Sequence, residues 1–200
     1  MKQDPSGDGV RSGHLSVLEA VDGRGNVSQR SLAEKLGMAA SGVNRVIREL
    51  LESGHLEVVD ESVRPFAYRL TSNGQGYLRR LSHQHYRTLL EDLRRIRARI
   101  RRRLREIRDQ GLRRLVFYGA GEIMELTLPL SRELDLEVVA VVDDDEEKQG
   151  QEKAGATVLS PGFLDEVEAD AVVITTWRHG EEIRERLAGE NAYGARILQL

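Results

Sequence analysis

The 200-residue sequence predicts an α+β segment, a long linking helix, and then an α/β segment built on a parallel sheet. Three observations carry this. Residues 13–76 hold short apolar runs at helical spacing followed by two strand-like runs. Residues 77–110 keep an unbroken three- or four-residue apolar step. After Gly111, continuous apolar runs alternate with helical ones, as in a parallel sheet covered on both faces.

Composition bounds the class. The chain is 40% hydrophobic, 32% charged and 4% aromatic, which is ordinary for a globular protein. It has no cysteine, which excludes a disulfide framework and a thiolate metal site and fits a cytoplasmic protein. Apolar runs such as 138–142 are too short to span a bilayer, and no signal peptide is expected, so no membrane partner is predicted. The net charge of -3 is split: residues 1–114 hold 23 Lys+Arg against 14 Asp+Glu, and residues 115–200 hold 7 against 19. A polyanion is drawn to the first half and repelled by the second.

Residues 1–12 are polar with Gly, Pro and Ser and read as a disordered start. Residues 14–21 read as a helix, broken at 22–26. Ser28 suits the N-cap of a helix over 29–36 that Gly37 ends. A further helix over 40–53 has the apolar stripe Val43, Val46, Ile47, Leu50 and Leu51, and Gly54 stops it. Runs 56–59 and 66–70 make a hairpin through Asp60, Glu61, Ser62, Arg64 and Pro65, after which Thr71 caps the next helix.

Two short helices and a hairpin give the order of a winged helix-turn-helix over residues 13–76. Its partner is then double-stranded DNA. Ser41, Asn44, Arg45 and Arg48 would form the outer face of the second helix, where Arg can read guanine and Asn or Ser can bond bases or phosphates. Arg64 at the hairpin tip would reach phosphate or minor groove. Gln29 and Arg30 open the preceding helix, where backbone amides favour a phosphate. The run 28–37, then Val43-Asn44-Arg45, then Tyr68-Arg69-Leu70-Thr71 with Gly74, resembles the MarR-type winged-helix regulators, in particular the subgroup associated with extracellular polysaccharide gene clusters. Ala39 departs from the Ser or Thr cap of many relatives, a loss of ~1 kcal/mol.

In the long helix, apolar positions recur at Leu78, Leu81, His85, Leu89, Leu93, Ile96, Ile100, Leu104 and Ile107, with one stutter. At ~1.5 Å per residue it is roughly 58 Å long. So narrow a stripe needs a partner, and the expectation is a coiled-coil homodimer through residues 77–110. The arginines between 94 and 108 are open to three readings: a solvated face around the dimer seam, non-specific phosphate contact, or a membrane surface.

Residues 111–200 offer strands at 115–118, 138–142, 157–159, 171–175 and 196–200, with helices at 122–134, 161–167 and 181–188. Tyr118-Gly119-Ala120-Gly121-Glu122 is a strand running through a Gly-x-Gly turn into a helix. There Gly119 permits the turn and Gly121 lets backbone approach a phosphate. Asp143 ends the next strand, where a carboxylate can bond a ribose hydroxyl. Thr176, Trp177 and Arg178 follow the fourth strand into the same crevice; Trp177 can stack on a base and Arg178 pair with phosphate. Against this, Met124 replaces the third Gly, and Glu122 sets a negative charge where phosphate would sit. With Val142-Asp143-Asp144-Asp145 and Lys148-Gln149-Gly150, the pattern resembles small Rossmann-like domains of sugar-nucleotide and polysaccharide proteins. It resembles, more distantly, redox-sensing repressors that join a winged helix to such a domain. The resemblance implies a nucleotide-type small molecule, with NAD(H) or a nucleotide sugar as the cofactor candidates.

No catalytic set is legible. There is no Tyr-x-x-x-Lys pair, His83 and His85 do not share a helix face, and His14, His55 and His179 stand apart in sequence. The run Asp143, Asp144 and Asp145 reads as a solvated turn rather than a cation site. The expectation is a sequence-specific transcriptional regulator, not an enzyme. The alternatives are a sugar-nucleotide enzyme or accessory factor, and a constitutive DNA-binding protein with a structural second domain.

Overall fold

The structure, a computed structural model, describes residues 5–23, 27–59, 66–190 and 195–200. It divides into two compact units, Met1–Glu91 and Asp92–Leu200, each with its own core.

The first unit holds α1 (Pro5–Asp22), α2 (Gln29–Leu36), α3 (Ala40–Glu52), β1 (Leu56–Val58) and β2 (Tyr68–Leu70), followed by the start of α4 (Ser72–Asp109). Ser28 caps α2 by accepting the Ser31 N–H at 3.3 Å, and Gly37 closes it in the left-handed region at φ 60°. Ala39 gives α3 no side-chain cap, so that helix depends on burying Val43, Val46, Ile47 and Leu50. These pack with Val17, Leu18, Val21, Leu32, Leu56, Tyr68 and Leu81. β1 and β2 pair antiparallel, and Val27 adds an isolated bridge to Tyr68. The hairpin tip, with Arg64, lies outside the described residues. Thr71 caps α4, its Oγ1 accepting the Gly74 N–H at 3.0 Å and donating to the Gly54 carbonyl at 2.7 Å.

α1 differs from expectation. It opens at Pro5, so residues 5–12 of the segment read as a disordered start are helical. Proline is at home in a first helical turn, and lengthening an existing helix costs far less than nucleating one.

The second unit is a sheet of β3 (Arg114–Tyr118), β4 (Glu137–Val142), β5 (Glu152–Lys153), β6 (Ala156–Leu159), β7 (Ala171–Ile174) and β8 (Arg196–Gln199). The order is β5-β6-β4-β3-β7-β8, parallel except for the β5–β6 edge hairpin. The two-residue β5 carries no periodicity and was not predicted. α5 (Glu122–Arg132) follows β3, a 3-10 turn (Pro161–Asp165) replaces the helix expected over 161–167, and α6 (Gly180–Glu190) precedes β8. α5 stops two residues short of expectation because Asp135 turns left-handed, at φ 55°, and the Leu136 N–H returns to the Ser131 carbonyl at 3.1 Å.

Strand alternation supplies both faces. Leu115, Phe117, Val141, Ala171 and Val173 pack toward α4 and α5, meeting Ile100, Leu104, Ile107, Met124 and Leu128. Val116, Tyr118, Val142, Val172 and Ile174 pack toward α6 and the 3-10 turn, meeting Ile183, Leu187 and Leu164.

This corrects the seam expected along the long helix. Ile100, Leu104 and Ile107 are 2%, 0% and 0% exposed because this chain's own sheet covers them, and Leu81 is buried in the first core. Only the central turns, with Tyr86, Leu89, Leu90 and Leu93, keep large apolar groups exposed.

Gly74 marks the tightest approach in the first unit: a Cβ there would lie 2.0 Å from the His55 carbonyl oxygen. Gly74→Ala is expected to destabilise this unit by ~1–3 kcal/mol in denaturant titrations. Gly76→Ala, whose Cβ would meet only the mobile end of Arg80 at 3.6 Å, is expected to be neutral or stabilising.

Candidate functional site

The strand order reverses between β4-β3 and β7, and a cavity of about 920 Å³ opens there, beyond the carboxyl ends of β3, β4 and β7. Gly119, Gly121, Asp143, Thr176, Trp177 and Arg178, singled out in the sequence, all line it. Tyr118, Asp144, Lys148, Thr175, Glu182 and Arg186 line it too and were not singled out as ligand residues.

The Gly turn is held from every side. The Gly119 N–H donates to the Val142 carbonyl at 2.8 Å. Thr175 Oγ1, wholly buried, donates to the Tyr118 and Gly119 carbonyls at 2.9 and 2.7 Å. The Ala120 N–H donates to Asp143 at 2.6 Å, and Lys153 donates to the Ala120 carbonyl at 3.2 Å. Gly119 needs to be glycine: its φ is 106°, and a Cβ would lie 3.2 Å from Thr176 Cβ. Gly121 does not need to be, for this chain's sake. Its φ is −106°, and a Cβ there would meet nothing within 4 Å. That open space faces the cavity, beside an α5 N-terminus that has no side-chain cap. The first amides of a helix lack intrahelical partners.

Asp143 has partners within the chain. Its carboxylate accepts the Ala120 and Asp145 N–H groups at 2.6 and 2.9 Å and the Lys148 ammonium at 3.2 Å. Burial pushes its pKa up, but these donors outweigh burial and hold it below the ordinary Asp value. Asp143 therefore fastens the Gly turn to β4, and its neighbour Asp144 is the exposed carboxylate. Asp144 accepts the Tyr118 hydroxyl at 2.8 Å and pairs with Arg186 at 2.8 Å. The Arg186 guanidinium stands 5.6 Å from the Tyr118 ring centroid and donates to its hydroxyl. Burial first, then the bond to Asp144, push the Tyr118 pKa well above its usual value. Trp177 is 52% exposed at the rim, and Arg178 is exposed beside it. In all, Glu122, Asp143, Asp144, Asp145 and Glu182 oppose Lys148, Arg178 and Arg186 around the cavity.

In the first unit, Ser41, Asn44, Arg45 and Arg48 are exposed along one side of α3, opposite its buried stripe. At 100° per residue they share a narrow arc about 10 Å long. Arg30 is exposed and pairs with Glu34 at 3.1 Å. Gln29 instead ties α2 to the hairpin, donating to the Tyr68 hydroxyl at 2.8 Å. Two histidines distant in sequence meet around Tyr77. His14 lies 3.1 Å from its hydroxyl and 2.8 Å from Glu49, and His55 stacks on its ring at 4.3 Å.

Two family models match separate stretches: the MarR family over residues 8–63, and the C2185-like, N-terminal family over residues 111–198. Among solved structures, the PcaV transcriptional regulator of Streptomyces coelicolor, in complex with its natural ligand, is 30% identical over 41% of this chain and 60% of that one, with a TM-score of 0.39. A MarR family transcription regulator is 20% identical over 39% of this chain, which spans about half (53%) of that one, with a TM-score of 0.36. UDP-D-quinovosamine 4-dehydrogenase of Vibrio fischeri is 20% identical over 44% of this chain and 78% of that one, with a TM-score of 0.39. No curated protein matches. No described helix is long and apolar enough to cross a membrane.

Two neighbouring glycines should respond oppositely to one change. Gly119→Ala is expected to cost ~1–3 kcal/mol in denaturant titrations. Gly121→Ala is expected to stay within ~0.5 kcal/mol of the parent. A folded-state pKa held below its unfolded value stabilises above the ordinary Asp pKa of about 3.9, and that contribution is lost as pH falls through the lowered value. Asp143→Asn is therefore expected to lower stability at neutral pH and to flatten the acid limb of a melting-temperature-against-pH profile.

Proposed function

We propose that the chain is a sequence-specific DNA-binding transcriptional regulator whose α3 reads base edges. One observation carries this reading: Ser41, Asn44, Arg45 and Arg48 project together from a helix whose opposite side is a sealed core. Arg and Asn are the side chains suited to guanine and adenine in a major groove, which admits an α-helix. The MarR match over residues 8–63, which contains α2 and α3, supports it. Arg30 would meet phosphate, and Arg64 would do so from the hairpin tip. A second copy would cover Tyr86, Leu89, Leu90 and Leu93, giving a dimer suited to a near-palindromic site.

We propose further that the second unit is a Rossmann-like domain sensing a nucleotide-type metabolite, of the kind used in polysaccharide synthesis or NAD(H). The space at Gly121 and the uncapped α5 N-terminus would take a phosphate, Trp177 a base or sugar face, and Arg178 a second anionic group. The carboxylate surplus around the cavity favours a second reading, a constitutive DNA-binding protein whose second unit is structural.

Selection of bound duplexes from a random pool is expected to enrich one sequence for the parent. Arg45→Ala with Arg48→Ala should blur that preference, and equal enrichment by parent and variant would refute the role of α3. Thermal unfolding with NAD, NADH, coenzyme A and nucleotide sugars separates the two readings of the second unit. A ligand at ~100 times its Kd adds ~2.7 kcal/mol. A shift in the parent that Gly121→Asp abolishes marks a sensor; no shift across the panel favours the structural reading.

A further inference from the structure

We infer that the outward face of α4 between residues 94 and 105 is a second, sequence-independent contact for the phosphate backbone of duplex DNA; this rests on reading the chain as a DNA-binding protein. Residues 92–109 carry nine arginines and three carboxylates, Asp92, Glu106 and Asp109. Each carboxylate is already engaged, by Arg95, Arg103 and Arg108 respectively, and Arg101 pairs with Glu133. Arg94, Arg99, Arg102 and Arg105 are exposed and, among the described residues, make no ion pair.

Arg94, Arg102 and Arg105 lie on the side away from Ile96, Ile100, Leu104 and Ile107, and Arg99 is exposed on its flank. With exposed Ala98 among them, they form a strip ~17 Å long, roughly five base-pair steps of ~3.4 Å. Like charges three and four residues apart, such as Arg99 with Arg102, oppose the helix, and a polyanion relieves this. The strip has no aromatic or large aliphatic side chain to insert into a bilayer. The first unit has 12 Lys+Arg against 11 Asp+Glu, a balance of only +1, so it brings little general attraction for DNA. Guanidinium groups, planar and forked, suit phosphate.

The test uses the full chain with Arg94, Arg99, Arg102 and Arg105 all changed to Gln, and a second variant with all four changed to Lys. Fluorescence anisotropy follows a selected duplex and an unrelated one across a salt series. The expected result is that the Gln variant loses ~0.9 per released contact from the slope of log Kd against log salt, ~3–4 in all, on both duplexes. The Lys variant should keep most of that slope. Circular dichroism melts matching the parent confirm that both variants fold. A selected-duplex slope unchanged in the Gln variant overturns the inference while leaving the α3 reading intact. A parent that binds through this face but enriches no sequence upholds the inference and sinks the α3 reading. Loss of self-association, or of binding to vesicles of anionic lipid, without a change in slope assigns the face to another partner and overturns it.

Discussion

The apolar stripe of α4 has to be buried, and the molecule buries it in two different places. A helix of 38 residues with so many arginines is not held by propensity; tertiary packing of its apolar side holds it. Near its start Leu81 enters the core of the first unit, and near its end Ile100, Leu104 and Ile107 close one face of the sheet. Burying side chains of that size contributes ~1.5–3 kcal/mol each. The second contact fixes the azimuth of the helix on the sheet and thereby determines which residues point to solvent. Exposure of Arg94, Arg102 and Arg105 follows from the burial of the residues opposite them, and Arg99 is exposed at the edge of that face.

The cavity follows from a second constraint, the tying of the turn after β3. Three strands converge on it: β4 through the Val142 carbonyl and Asp143, β7 through Thr175, and β5 through Lys153. With those bonds made, the turn has little freedom left, and the start of α5 is held at the edge of the cavity. Asp144, Tyr118 and Arg186 form a separate cluster that joins β3, the loop after β4 and α6 along one wall.

Features with a local cause were legible in the sequence. Ser28, Gly37 and Thr71 act at helix ends through bonds to residues a few positions away, and continuous apolar runs mark the central strands β3, β4 and β7. Gly119 and Gly121 were legible as a pair, but their different reasons were not: one needs a left-handed backbone, and the other leaves an open space. What escaped depends on long-range partners. Asp143 stands out from its position after a strand, but its bond to the Ala120 N–H, 23 residues earlier, does not. Arg186 sits among the charges of α6 with nothing to distinguish it until Asp144 and Tyr118 are brought beside it. The extent of the seam along α4 was likewise not legible, because a three-four apolar step looks the same whether a second helix or a sheet covers it.

The charge split along the sequence also changes meaning once the fold is known. Divided after residue 114, the chain has a basic half and an acidic half; divided where the units part, the balances are +1 and −4. The excess of the first half belongs almost wholly to residues 92–114, which by packing are part of the second unit. Net charge of the N-terminal half therefore says nothing in favour of a winged helix on DNA. That reading stands on the placement of Ser41, Asn44, Arg45 and Arg48 and on the family match. The second unit, acidic in total, carries half of its Lys+Arg on α4 and most of its carboxylates on the elements that follow, so its net charge predicts neither partner. Electrostatic attraction acts through such local fields, within about a Debye length of ~8 Å at physiological salt.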